Sequence, residues 1–197
     1  MAVLTEPLTV DALCEHHHVD EKHGHCVGCH AAALFRLTAH IHSLDRELAE
    51  IAYYSGLLHN VAKAAGKKGH HKRGRDILLT TPLEGFSENE QQMMALAAYF
   101  HRKKWKREKL ETEISYHLLP RRLREPALLV ASLVRLADGL DHSRTQASQI
   151  ADYELPTTGP GIVWVAGPQA EKDARKANKK ADMWSALVGL PLVVQPV

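Results

Sequence analysis

From near the N-terminus to about residue 147, apolar side chains recur every three or four positions, the repeat of a helix with one buried face. The run from Leu123 to His142 carries the strongest such stripe, with Leu128, Leu129, Ala131, Leu133, Val134 and Leu136, and reads as a central helix. Between Asp20 and His42 a second stripe is formed by Val27, Ala31, Leu34, Leu37 and Ile41. Ser43-Leu44-Asp45 opens a third, with Leu48, Ile51, Ala52, Ser55, Leu57 and Leu58, whose last turn is Gly56 to Asn60. Thr9 is placed to cap a short helix through Cys14, residues 65–69 read as a loop, and 70–80 as a short basic helix. Ser87 followed by Glu90 is a capping box ahead of Met93, Met94, Leu96, Ala97 and Phe100. The methionines there read as core filler, and Arg102 to Lys109 as exposed. A chain with this pattern is expected to be mostly α.

The pattern changes near residue 148. Asp152 to Leu155, Ile162 to Ala166 and Leu190 to Val194 are strand-like, Thr158-Gly159-Pro160-Gly161 is a turn, and 169–187 returns to helical composition. The expected division is a helical domain over 1–147 and a small α+β unit over 148–197. The 197 residues are 45% apolar and 24% charged, which suits a folded globule and not a disordered tail.

No apolar run approaches the roughly 20 residues of a membrane span. The start, Met-Ala-Val-Leu-Thr-Glu-Pro, has neither the basic nor the apolar region of a secretory leader. Three cysteines do not make a disulfide scaffold, so a cytoplasmic location is expected. The net charge of +2 hides an uneven distribution: residues 63–109 hold 12 basic and 5 acidic side chains. That segment suits an anionic ligand, or else is a solvated helix face. Of 14 histidines, 11 lie in the first 71 residues, which directs attention to metal ligation and proton transfer.

Cys26-Val27-Gly28-Cys29-His30 matches the string that attaches c-type haem, a use that needs export and oxidation. It also offers a zinc site through Cys26, Cys29 and nearby histidines, or simply two small buried helix residues. His16-His17-His18 reads as a solvated helix end.

The string Ser55-Gly56-Leu57-Leu58-His59-Asn60-Val61-Ala62-Lys63 resembles the His-Asp signature of the HD superfamily of metal-dependent phosphohydrolases. Arg135-Leu136-Ala137-Asp138-Gly139-Leu140-Asp141 matches the segment that supplies that superfamily's distant carboxylate ligand. Further segments in order are similar to the C-terminal region of the Ppx/GppA family of exopolyphosphatases and guanosine pentaphosphatases. They include Asp20-Glu21-Lys22-His23, Ile41-His42-Ser43-Leu44, Gly69-His70-His71-Lys72-Arg73, Leu83 to Ser87, Ala98 to Lys103 and Lys179 to Trp184. The resemblance implies an HD-domain-like helical bundle and a divalent metal, manganese, magnesium or similar, held by His23, His59, Asn60 and Asp138. His30 is the alternative to His23. The signature here is His-Asn, and an amide lacks the charge a hard cation favours, so occupancy should be weak or absent. Arg73-Gly74 stands where the family often has His-Ser.

The same resemblance implies a phosphate-rich ligand, polyphosphate or a guanosine polyphosphate, held by Lys63, His70, His71, Lys72, Arg73, His101, Arg102 and Lys103. The family's long members assign phosphatase chemistry to an actin-like module with Gly-rich phosphate loops, and no such loop occurs here. The primary expectation is therefore a degenerate HD protein that binds phosphate-rich anions with little or no turnover. The alternatives are an active metal-dependent phosphohydrolase, and a dimerising or regulatory module that partners a separate Ppx/GppA phosphatase chain. No catalytic residue is assigned.

Overall fold

The computed structural model describes residues 6–197, so the leader reading of residues 1–5 lies outside the described residues. The chain is mostly helical, with a three-stranded sheet near its end. In order come α1 (Val10–His16), α2 (Glu21–Leu37), α3 (Ala39–His42), α4 (Leu48–Leu58), α5 (His70–Thr80), α6 (Glu88–Phe100), α7 (Ile114–Leu118), α8 (Arg121–Leu140), β1 (Gln149–Glu154), β2 (Gly161–Ala166), α9 (Ala170–Lys180), α10 (Asp182–Val188) and β3 (Leu192–Pro196). A 3-10 turn spans Arg107–Thr112.

The centre is α8, as its stripe predicts. From Ala127 to Leu140 it is buried on nearly every side, and α2, α4, α6 and α9 pack around it. Its Pro126 is the sixth residue of the helix, in the second turn, where it removes one ladder donor, the one that would reach the Arg122 carbonyl. The capping box at α6 forms: the Glu90 amide donates to Ser87 Oγ, and the Ser87 amide to Glu90 Oε2. Met93 and Met94 are core residues at 1% and 0% exposure, in keeping with their role as filler.

The stretch expected as one helix from Asp20 to His42 breaks at Thr38. Its hydroxyl donates to Leu34 O at 2.7 Å, which competes with the backbone ladder, and the four-residue α3 follows as a separate element. The 3-10 turn starts inside the segment read as exposed, Arg102 to Lys109, and α7 follows beyond it; neither carries a strong periodic stripe.

Two close approaches set the helix positions. Where α2 crosses α4, Gly28 and Gly56 face each other; a Cβ on Gly56 would lie 2.6 Å from Gly28 Cα. Where α8 crosses α9, a Cβ on Gly139 would lie 2.4 Å from Ala177 Cα. Only glycine lets the backbones come this near.

In the C-terminal part β1 and β2 are antiparallel and β2 and β3 parallel, in the order β1-β2-β3, with α9 and α10 making the crossover. β2 alternates buried and half-buried residues, and its Val163 and Val165 belong to the same apolar core as α8. α9 lays Ala170, Ala174 and Ala177 against that core. No helix is long and apolar enough to cross a membrane among the described residues.

Candidate functional site

The HD-type signature residues converge from three helices. His23 lies in the first turn of α2, His59 just past the end of α4, and Asp138 in the last turn of α8. One potential ligand atom from each lies within 4.8 Å of the other two. Asp138 Oδ1 is 3.3 Å from His23 Nε2 and 3.5 Å from His59 Nε2. The glycine crossing of α2 and α4 is what brings the two imidazoles together, with ring centroids 5.2 Å apart.

Outer hydrogen bonds orient both rings. His23 Nδ1 donates to Asp141 Oδ2 at 2.7 Å, and His59 Nδ1 to Gly56 O at 2.5 Å. Both Nε2 atoms are thereby left as acceptors facing Asp138, the arrangement in which a metal-ligating histidine is held by its second nitrogen. His23 Nε2 is buried and has no hydrogen-bond partner. Burial opposes charge on His23, but Asp138 and Asp141 outweigh it and raise its pKa, whereas burial lowers that of His59. Asp141 is itself fixed by the Gln146 backbone and side-chain amides, which donate to Oδ1 and Oδ2 at 2.8 and 3.0 Å.

Asn60 is at the site, but its amide nitrogen donates to His59 Nε2 at 2.7 Å. Lys180, from the end of α9, places its ammonium on Asp138 Oδ2 and donates to His101 O at 3.2 Å. Burial opposes ionisation of Asp138, yet Lys180, with His59 and His23, holds its carboxyl well below the usual carboxylate range. Two aligned imidazoles, a carboxylate oxygen and an unpartnered buried Nε2 fit a divalent cation. Against it stand the lysine on Asp138 and an amide that must turn over to offer its oxygen.

A cleft of about 420 Å³ opens beside this cluster. Asn60, His70, His101, Asp138 and His142 line it, together with the cations Lys63, Lys67, Arg102, Lys103, Arg144, Lys176 and Lys180. Asp138 is the one carboxylate among these lining residues, and Lys180 already neutralises it. Burial, with Arg144 nearby, lowers the pKa of Lys63. A relay of hydrogen bonds shapes the wall: Arg102 Nη1 lies 3.3 Å from His70 Nδ1, and His70 Nε2 is 3.1 Å from His101 Nε2. His101 Nδ1 donates to Ala98 O at 2.6 Å, which leaves His101 Nε2 an acceptor, and His70 Nδ1 lies between Lys67 O, at 3.0 Å, and the Arg102 guanidinium.

The end of α6 is held by Arg135, 1% exposed, which donates to the carbonyls of Phe100 and Arg102 and to Asp182 Oδ1 at 2.5 Å. Asp182 also accepts from the Trp105 amide at 2.7 Å. This buried guanidinium, paired through both terminal nitrogens while its Nε has no partner, fixes where His101 and Arg102 stand.

Of the residues expected to hold phosphate, the cleft gathers Lys63, His70, His101, Arg102 and Lys103. Lys72, Arg73 and His71 are not among its lining residues. Lys72 is exposed, and Arg73 donates to Lys68 O and Gly66 O, tying down the 65–69 loop. His71 is buried against Tyr99. His30, the alternative to His23, donates from Nε2 to Ser148 O at 3.0 Å and stands outside the cluster. Cys26 and Cys29 are free thiols outside the converging ligand set; burial and Asp141 push the Cys26 thiol up to about 12.

Sequence reading alone did not find Arg144, Lys176, Lys180, His142 or the orienting Asp141. Only Asp141 carried a local signal, since it follows Asp138 by three positions and so shares its helix face. The others reach the cleft through the packing of α9 on α8 and through the 141–148 loop, where Arg144 and Gln146 adopt left-handed conformations with φ of 59° and 54°. Asp173 of α9 pins that loop by accepting from the Ser143 amide and from the hydroxyls of Ser143 and Ser148.

No curated protein matches the chain. The family model described as Ppx/GppA phosphatase, domain III, matches residues 7–162, which takes in α1 to α8, the His23–His59–Asp138 cluster and β1. With most of its length and its central cluster inside that match, the chain belongs to the Ppx/GppA family, as a copy of its C-terminal HD-type region.

Proposed function

We propose that this protein is a degenerate HD-type domain that binds phosphate-rich anions, polyphosphate or a guanosine polyphosphate, in the cleft beside His59 and Asp138. One observation carries the reading: seven Lys and Arg side chains line the cleft, and the single lining carboxylate is already paired with one of them. A neutral substrate gains little from such a wall. Phosphate oxygens accept several charge-assisted hydrogen bonds at once, and the Arg102 guanidinium offers a fork suited to them. Calorimetric titration with tripolyphosphate tests it. Affinity should fall steeply as salt rises. A Lys63→Ala, Arg102→Ala double variant should bind about tenfold or more weakly, since a hydrogen bond to a charged group contributes about 1.5–3 kcal/mol. No binding at low salt, or equal binding by the variant, would reduce the cleft to an ordinary solvated surface.

The convergence of His23, His59 and Asp138 favours a second reading, a divalent-metal-dependent phosphohydrolase. A metal held by those three residues and Asn60 would polarise a phosphoryl oxygen. His70, Arg102 and Lys63 would orient the phosphate chain. Phosphate release from tripolyphosphate or guanosine polyphosphates in the presence of manganese, lost in His59→Ala, separates this reading from the first.

A further inference from the structure

We propose that Lys180 is the resident cation of the HD-type site: its ammonium pairs through Oδ2 with the same Asp138 carboxylate whose Oδ1 a divalent metal needs, so lysine and metal compete for one carboxylate. This inference concerns metal binding alone and does not depend on which anion the cleft receives.

Three observations support it. The ammonium is in direct ion-pair contact with Asp138 Oδ2 while Oδ1 faces both imidazoles, so a single carboxylate bridges the lysine and the would-be ligand pair. The ammonium is also held by His101 O at 3.2 Å, and the Lys180 side chain is only 13% exposed, so it is a seated group and not a solvated tip. Finally, its helix has little room to shift. One residue beyond Asp138, Gly139 lets Ala177 of α9 press onto the α8 backbone, and Lys180 lies three residues, about one turn, beyond Ala177. The contact that seats α9 therefore also sets the lysine over the carboxylate.

A fixed positive charge at that oxygen acts on a metal in two ways. It neutralises the carboxylate through Oδ2, and it repels a dication with a force that weak screening in a buried site leaves strong. Asn60 weakens the site by omitting a negative charge; Lys180 weakens it further by adding a positive one. The two defects are independent in sequence and meet only in space.

Calorimetric titration of the full chain with MnCl2, without any anion ligand, tests the competition. Lys180→Met keeps the length and apolar stem of the side chain and removes the charge. It is expected to bind one manganese at least tenfold more tightly than the unmodified protein, and a Lys180→Met, His59→Ala double variant should lose that gain. Lys176→Met is the control: Lys176 lines the same cleft but does not touch Asp138, so its affinity should stay within about threefold of the unmodified chain. Should Lys180→Met fail to fold, Lys180→Gln is read by the same criteria, since an amide can still donate to the carboxylate. Equal manganese affinity with and without the Lys180 charge would overturn the proposal. So would an equal gain in Lys176→Met, which would make the effect one of general cleft charge.

Discussion

Gly56→Ala probes the crossing on which the site is built. The added Cβ would lie 2.6 Å from Gly28 Cα, 2.7 Å from Gly28 N and 2.9 Å from Val27 C, all backbone atoms that cannot turn aside. Ordinary contact begins near 3.4 Å, so α2 and α4 would have to part by about 0.8 Å, the difference between 3.4 and 2.6 Å. Overpacking of a well-filled core costs about 1–3 kcal/mol, and contact with rigid backbone on every side places this case near 3. Alanine returns about 1 kcal/mol of helix propensity over glycine. The net expectation is a loss of about 2 kcal/mol, which for a chain of this size lowers Tm by about 4–8 °C. Gly74→Ala in α5 is the matched comparison. There the Cβ would meet Val61 Cγ1 at 3.4 Å, Ala98 Cβ at 3.8 Å and Ala62 N at 3.9 Å, all ordinary contacts, so the propensity gain should stand and Tm should rise by about 2–4 °C. Thermal melts followed by circular dichroism and urea titrations at 25 °C measure both. If Gly56→Ala leaves Tm within 1 °C, or if the two variants move together, the close approach of α2 and α4 is not what places His59 beside His23.

Asn60→Asp should tighten manganese binding about tenfold, because ligand charge helps set affinity for hard cations; equal titration curves for the two proteins would show that the amide is not limiting. Burial, reinforced by Lys103, pushes the His71 imidazole down to about 4, below its unfolded value of 6.5. Between those values the unfolded chain binds a proton that the folded chain does not. Stability is therefore fully present above pH 6.5 and is lost as pH falls toward 4, by an amount on the order of 1 kcal/mol or more at pH 5. Urea unfolding at pH 7, 6 and 5 measures the slope, and a His71→Phe variant with an undiminished slope would show that another group is responsible.

Much of the fold is legible in the chain because helices write their buried faces into sequence at a fixed spacing. Leu128 to Leu136 identify the central helix, and Ser87 with Glu90 marks the start of α6 to the residue. Thr38 and α7 were not legible. A back-bonding hydroxyl ends a helix without breaking the apolar stripe, and five residues are too few to show a period. The His59-Asn60 and Asp138 motifs could be read locally because each is a short string on one helix end. What those strings do together was decided elsewhere. Charge excess in residues 63–109 pointed to Lys72 and Arg73 as much as to Arg102, yet helix phase and loop anchoring turn the first two away from the cleft and the third into it. Lys180 lies 42 positions from Asp138, and nothing in its own segment, Lys179 to Trp184, points to that carboxylate. Its meaning comes from Gly139 and Ala177, which let α9 settle onto α8 closely enough to set an ammonium on a buried carboxylate. Sequence by itself determined which helices form and which ligand types they carry, since both are local properties. The tertiary structure decided which cation sits in the site, since two charges meet there only after the helices between them have packed.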